Sequence, residues 1–343
     1  MATLWDITLA TSILYTFTLN YAGGAETNNS GMCMSPDGTK MYTATGFGQT
    51  SPGIEQYDLS VAFDLSTASY SGNRLTTINY AMGLACSSDG MHFYTTSNTT
   101  KLVYQHDLTV AWDLSTATAN VASISTGADA YTHMHMSPDG TKLFWLSSFS
   151  LPNYLVHQYT LGTAWDITTL SSTTNTMSIS AETASAPGDL CLSPDGTKVF
   201  VWANDNKVYR YDLSVAWDLT SKTYVSASPA TIGSFGLWVS PDGSRLYSET
   251  AGSPGSIQEY NMVSFALSGT VKDPSGAVIP NAEVHILNTT NIPYIVEANV
   301  TADGSGIYTL TGLTSNTDTF QVVTFAAGPP RRFGASDINL TAT

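Results

Sequence analysis

The stretch that decides the fold is Cys33–Gly46, CMSPDGTKMYTATG. Close copies begin at His135, HMSPDGTKLFWLSS, and at Cys191, CLSPDGTKVFVWAN. The four-residue centre recurs as SPDG at Ser35, SSDG at Ser87, and SPDG at Ser137, Ser193 and Ser240. The spacings are 52, 50, 56 and 47 residues. A second signature lies between the copies: QYDLSVAFDLSTA from Gln56, QHDLTVAWDLSTA from Gln105, QYTLGTAWDITTL from Gln158 and RYDLSVAWDLTSK from Arg210. A truncated EYNMVSF starts at Glu259. The missing half of that last copy stands at the other end of the chain, in TLWDITLATSILYTFTL from Thr3.

Each period of about 50 residues holds four strand-like runs bounded by Gly, Pro, Asp and Asn. In the first unit they are Gly31–Ser35, Lys40–Thr45, Ile54–Leu59 and Ser69–Ile78. Four short strands per unit at this period predict β-propeller blades. The count of strands closes only as a ring of five blades, with Ile13–Asn20 supplying the outer strand of the last one. Within that frame SPDG reads as a turn. Pro fixes φ, Asp bonds its own backbone, and Gly takes positive φ. The repeated pairs Trp5-Asp6, Phe63-Asp64, Trp112-Asp113, Trp165-Asp166 and Trp217-Asp218 fall in the third-to-fourth-strand connection, where the aromatic ring is expected to plug the blade base.

After Phe265 the texture changes. The segments GTVKDPSGAVIPNAEV (from Gly269) and TADGSGIYTLTGL (from Thr301) show alternating strands broken by DPSG and ADGSG turns. They closely resemble the carboxypeptidase regulatory-like family, a transthyretin-like Ig sandwich, over residues 266 to the end. The resemblance implies a non-catalytic accessory domain used for folding, spacing or adhesion. The SPDGTK and YDLSVAWDL units resemble propeller repeats common in phage and bacterial surface proteins. The expected architecture is all-β: a five-bladed propeller over residues 1–263, then an Ig-type β-sandwich over 264–343.

Composition narrows the function. Twelve Lys and Arg against 27 Asp and Glu give a net charge of −15. That leaves no basic patch to displace counterions from nucleic acid or to dock on anionic lipid. No apolar run is long enough to span a bilayer. The N-terminus has no basic region ahead of an apolar stretch, so no secretory signal is expected. Three cysteines do not make a disulfide framework. Only 11% of residues are charged, and Thr, Ser and Asn take their place, a texture suited to a surface-displayed protein.

No nucleophile elbow, zinc-protease helix, phosphate-cradling loop, paired CxxC or EF-hand is present. Carboxylates at or near the inner strands, Glu26, Asp129, Glu182 and Asp189, allow a glycosidase-type pair such as Asp129 with Asp189, but nothing forces it. Two residues before each turn Ser stand Cys33, Ala85, His135, Cys191 and Trp238. Cys33, His135 and Cys191 offer thiols and an imidazole at equivalent positions, a weak zinc candidate, against the plainer reading of small residues filling a packed ring.

Recognition is expected on the loops opposite the SPDG turns, because irregular loops on a rigid scaffold carry binding. The candidate ligand-binding residues there are Phe47, Tyr80, Asp129, Tyr131, Phe149, Tyr154 and Phe235, aromatics and an acid suited to glycan stacking and hydrogen bonding. The resulting expectation is a non-enzymatic bacteriophage virion protein, a tail fibre, head fibre or capsid decoration, that acts outside the cell. Its expected partners are other virion proteins through the Ig-like domain and a host surface glycan or receptor through the propeller. It is expected to be a homo-oligomer in the particle, without cofactor, nucleic acid or membrane insertion. The alternatives are a glycan-cleaving propeller enzyme and a purely structural virion subunit.

Overall fold

The computed structural model describes residues 5–11, 13–19, 29–45, 52–77, 81–97, 100–125, 131–147, 154–171, 175–183, 185–229, 232–233, 235–250, 255–262, 265–271, 277–279, 281, 283–288, 295–305, 307–313, 319–325 and 332–339. The chain divides into two compact units, one of them Asp6–Met262 and the other containing Val263–Thr343.

The first unit is a five-bladed propeller. Blade 1 runs from its inner strand outward as Asn29–Met34, Lys40–Thr45, Gly53–Leu59 and Ala68–Thr76, each antiparallel to the next. Blades 2, 3 and 4 repeat this order over 83–125, 131–178 and 187–227. Blade 5 contains Phe235–Val239, Arg245–Thr250 and Ser256–Asn261. Its outer strand is Ile13–Thr18, paired antiparallel with Ser256–Asn261. The inner strands neighbour one another in a closed cycle, 1 to 2 to 3 to 4 to 5 and back to 1.

Alternation along each inner strand sends successive side chains to opposite blade faces. Cys33 therefore packs toward blade 2, in a cluster with Tyr42, Leu84 and Phe93, with Cys86 against it. Met32 and Met34 pack the other way, with Tyr247 and Ile257 of blade 5. Ala85 meets Met134 and Met136 in the same manner.

The two repeated signatures are one device. In blade 1 the Ser35 hydroxyl donates to Asp37 at 2.5 Å, and Asp37 accepts from the Thr39 amide at 3.0 Å. The glycine follows at φ +70°, a region where only glycine is free of strain. Its carbonyl accepts from the Phe63 amide at 3.0 Å, and the same bond recurs from Trp112, Trp165 and Trp217 to Gly90, Gly140 and Gly196. The aromatic ring lies flat on the glycine, so that a Cβ at Gly196 would stand 2.1 Å from Trp217. Holding the ring there places Phe63, Trp112, Trp165 and Trp217 themselves at φ between 62° and 66°. The aspartate that follows each aromatic caps a single 3-10 turn; Asp64 accepts from the Ser66 amide at 2.9 Å.

Neighbouring blades are latched in one rotational sense. Tyr42 of blade 1 donates its hydroxyl to the Trp112 carbonyl of blade 2 at 2.6 Å, and Tyr94 donates to Trp165 at 2.6 Å. Tyr247 of blade 5 closes the ring on Phe63 of blade 1 at 2.6 Å. Blades 3 and 4 have Phe144 and Phe200 at this position. The Gln of each QYDL motif adds a second latch. Gln56 accepts from the Leu114 amide at 3.0 Å, Gln105 from Ile167 at 3.3 Å, and Gln158 from Leu219 at 3.3 Å. Glu259 plays this part between blades 5 and 1, accepting from Leu65 at 3.4 Å. Tyr247→Phe is expected to leave the Phe63 carbonyl without its buried donor and to cost about 1–2 kcal/mol. Denaturant unfolding measures this, and Tyr42→Phe should behave alike; no change in midpoint for either would show the latch to be idle.

The second unit holds two sheets. Phe265–Thr270 pairs with Ile307–Leu313, and a four-stranded sheet runs in the order Ile295–Thr301, Glu283–Asn288, Thr319–Phe325, Arg332–Asn339. It is an Ig-like β-sandwich. Among the described residues no helix is long and apolar enough to cross a membrane.

Candidate functional site

A cavity of about 230 Å³ occupies the central channel. It opens on the SPDG face, between Pro36, Pro138, Pro194 and Pro241, and runs inward to Asp189. From the sequence, recognition is expected on the opposite loops. The turns count the blades, but they also frame this mouth.

Ring position explains the wall. Four residues before the turn Ser stand Gly31, Gly83, His133, Asp189 and Gly236. Here the inner strands approach so closely that a Cβ on Gly31 would lie 2.7 Å from the Leu84 amide nitrogen. This constriction sets the deep end. The next rows are mostly Met, Leu, Ala, Cys and Trp, so the channel is apolar. His135 faces it; burial lowers its imidazole to about 4, which keeps the ring neutral at physiological pH.

Two carboxylates are enclosed near the deep end. Asp189, 4% exposed, accepts the amide of Leu190 at 2.6 Å and that of Leu237 on blade 5. Glu249, 0% exposed, accepts the Gly31 amide of blade 1 at 3.0 Å through Oε2, while its Oε1 has no partner among the described residues. Its side chain lies over Gly236, where a Cβ would meet it at 2.5 Å. Each acid thus bridges to the next blade through its backbone. Burial raises both carboxyls well above the usual range, and for Glu249 the charge of Asp189 adds to it.

A carboxyl raised in the folded state favours folding below its unfolded value, and that contribution is lost as pH rises through the folded one. Glu249→Gln removes the charge and keeps an acceptor for Gly31. The variant is expected to be more stable than wild type by about 1–3 kcal/mol at pH 8, with the gap closing by pH 4. Thermal unfolding at the two pH values checks the sign; a gap that widens toward pH 4 would reverse it.

Of the ligand-binding candidates, Phe47, Tyr80, Asp129 and Phe149 lie outside the described residues, as do the side chains of Tyr131 and Phe235. Tyr154 is a correction. At 5% exposed it belongs to the core between blades 3 and 4, with Met177, Ile179 and Leu190. The strand alternation that follows it turns its ring inward, so it offers no face to a ligand. Cys33, His135 and Cys191 all line the channel, but no three His, Cys, Asp or Glu side chains come together among the described residues. Cys33 packs between blades 1 and 2, while His135 and Cys191 stand on the inner strands of blades 3 and 4, and zinc convergence is not formed among the described residues. Of the carboxylates, Asp189 is turned onto backbone amides and Glu182 accepts the Tyr211 hydroxyl at 3.1 Å. His106 is a packing residue, bonded to Thr95 at 2.9 Å and to the Asn120 amide at 3.0 Å.

Two residues of the site are not evident from the repeat. Glu249 occupies a place held by Ala44, Thr96, Leu146 and Trp202 in the other blades; a lone carboxylate in an otherwise mostly apolar column is the signal that points to it. Cys86 stands one residue before its turn Ser, not two, and by strand parity faces back toward Cys33.

Residues 266–335 match the model of the carboxypeptidase regulatory-like domain. Among solved structures, the chain is similar to Kuenenia stuttgartiensis hydrazine synthase, at 13% identity and TM-score 0.42, covering 71% of this chain and 99% of that one. It is also similar to U3-55K, at 9% identity and TM-score 0.41, covering 71% and 98%. No curated protein matches the chain. The chain is thus a five-bladed β-propeller joined to a carboxypeptidase regulatory-like, Ig-type domain.

Proposed function

We propose that the chain is a non-enzymatic virion protein of a bacteriophage, part of a tail fibre, head fibre or capsid decoration. The propeller is the displayed part and binds a host surface glycan or receptor. The Ig-like domain anchors or spaces it against other virion proteins, and the particle carries it as a homo-oligomer.

The observation that carries this reading is how the ring is held. Its blades are tied by Tyr, Gln and Asp side chains that reach backbone groups of the next blade. Such a scaffold keeps its shape whatever its irregular loops contain, which is what display of a variable binding surface requires. The acidic composition, poor in Lys and rich in Thr, Ser and Asn, accords with exposure outside the cell. The accessory character of the carboxypeptidase regulatory-like family accords with a spacer.

Mass spectrometry and microscopy of purified particles should find the protein in the virion. A glycan array coupled to a hydrolysis assay should show binding without turnover. Release of sugar would replace this reading with a glycan-cleaving enzyme, and absence from every particle would end the virion assignment.

A further inference from the structure

The channel wall is rich in sulfur. All three cysteines of the chain line it, together with Met32, Met34, Met134 and Met136. Thiols and thioethers are soft ligands that select soft cations. Cys33 and Cys86 are the closest set. They belong to one cluster between blades 1 and 2, and the Cys86 sulfur lies 3.8 Å from the carbonyl of Met34, the residue that follows Cys33. Cys33 is buried and Cys86 half-buried, so a path leads from the channel to the pair. No third His, Cys, Asp or Glu joins them among the described residues. Zinc, which takes four ligands in structural sites, is therefore poorly served, whereas a cation content with two thiolates is well served.

We propose that Cys33 and Cys86 form a two-thiolate site for a soft monovalent cation, Cu(I) or Ag(I), reached through the mouth between the SPDG turns. On binding, two S–H bonds break and two metal–sulfur bonds form. Two protons leave to solvent through the mouth, and no electron is transferred. The apolar side chains around the pair, Leu84, Phe93 and Leu114 among them, provide a water-poor wall that disfavours hard cations. The site is independent of whatever the propeller binds on its outer surface.

The ring itself supplies benign replacements. Ala85 stands at the Cys33 position in blade 2, and Val239 at the Cys86 position in blade 5. The full-length chain, reduced and kept anaerobic, is titrated with Cu(I) against a coloured cuprous chelator. The expected result is one copper per chain withdrawn from the chelator, with native mass spectrometry showing one copper in place of two protons. Cys33→Ala and Cys86→Val should each weaken binding by more than about 100-fold, while Cys191→Ala binds as wild type. X-ray absorption at the copper edge of the wild-type complex should show two short sulfur neighbours, a readout that needs no variant to fold. The proposal is overturned if wild type leaves the copper with the chelator, if nitrogen or oxygen dominates the shell, or if folded C33A and C86V bind undiminished. That last outcome would return the cysteines to simple packing.

Discussion

Gly196→Ala should destabilise the propeller by about 2–5 kcal/mol, the sum of a left-handed alanine and an overpacked contact. The new methyl group would meet the Trp217 ring at 2.1 Å, on a backbone at φ +68°. Trp217 cannot yield easily. Its amide is bonded to the Gly196 carbonyl at 2.9 Å and its own φ is +63°, so moving the ring breaks the turn it was placed to seal. Gly72→Ala isolates the backbone part, since Gly72 has φ +88° and nothing within 4 Å of an added Cβ. It should cost about 1–2 kcal/mol. In the double variant Gly196→Ala, Trp217→Ala, the clash is gone and the losses should fall short of additive. Denaturant midpoints of wild type, Gly196→Ala, Trp217→Ala and the double variant give the cycle. Equal costs for Gly196→Ala and Gly72→Ala would mean that the aromatic does not hold the turn.

Removal of residues 1–19 should leave a chain that no longer unfolds in one cooperative propeller transition. Ile13–Thr18 satisfies the outward backbone groups of Ser256–Asn261. The same segment plugs the seam to blade 1, where Phe17 meets Tyr57 edge-on at 5.5 Å and Leu19 is buried beside Met32. Ile7 and Ala10 are likewise fully enclosed. At about 1.5–3 kcal/mol for each large apolar side chain, the loss rivals the whole stability of an ordinary domain, about 5–15 kcal/mol. The bared strand edge would also pair with other chains. Gel filtration should show association, and a synthetic peptide of residues 5–20 added in trans should restore the monomeric profile. A truncated chain with an unchanged melting midpoint would refute the closure.

Whether a feature is legible in the sequence depends on whether it repeats. SPDG recurs because each blade makes the same turn, and the strand deficit of the fifth blade can be counted only because the other four are complete. The aromatic-Asp pair is visible for the same reason, and so is its place under the blade. Its partner is not. That Trp217 lies on Gly196, and not on any of the apolar residues around it, follows from how the third strand returns past the turn, which spacing along the chain does not specify. Tyr154 misleads because it sits beside a polar loop in sequence, while strand parity decides which way its ring points.

The candidate site is the least legible part, because its residues are the exceptions to the repeat. Asp189 and His135 stand out as odd members of their columns. Glu249 belongs to a second strand, and only the fold brings its carboxylate to the Gly31 amide of another blade, 218 residues away in sequence. Cys33 and Cys86 are distant along the chain, at unlike places in their repeats. By itself the sequence determined the number of blades, the strand order within each and the character of the second domain, since these rest on local turn chemistry and period. The tertiary structure alone decided that the channel opens among the SPDG turns, that two acids are buried at its deep end, and that two thiols meet in its wall. Those depend on which faces of neighbouring blades come together, and ring closure sets that.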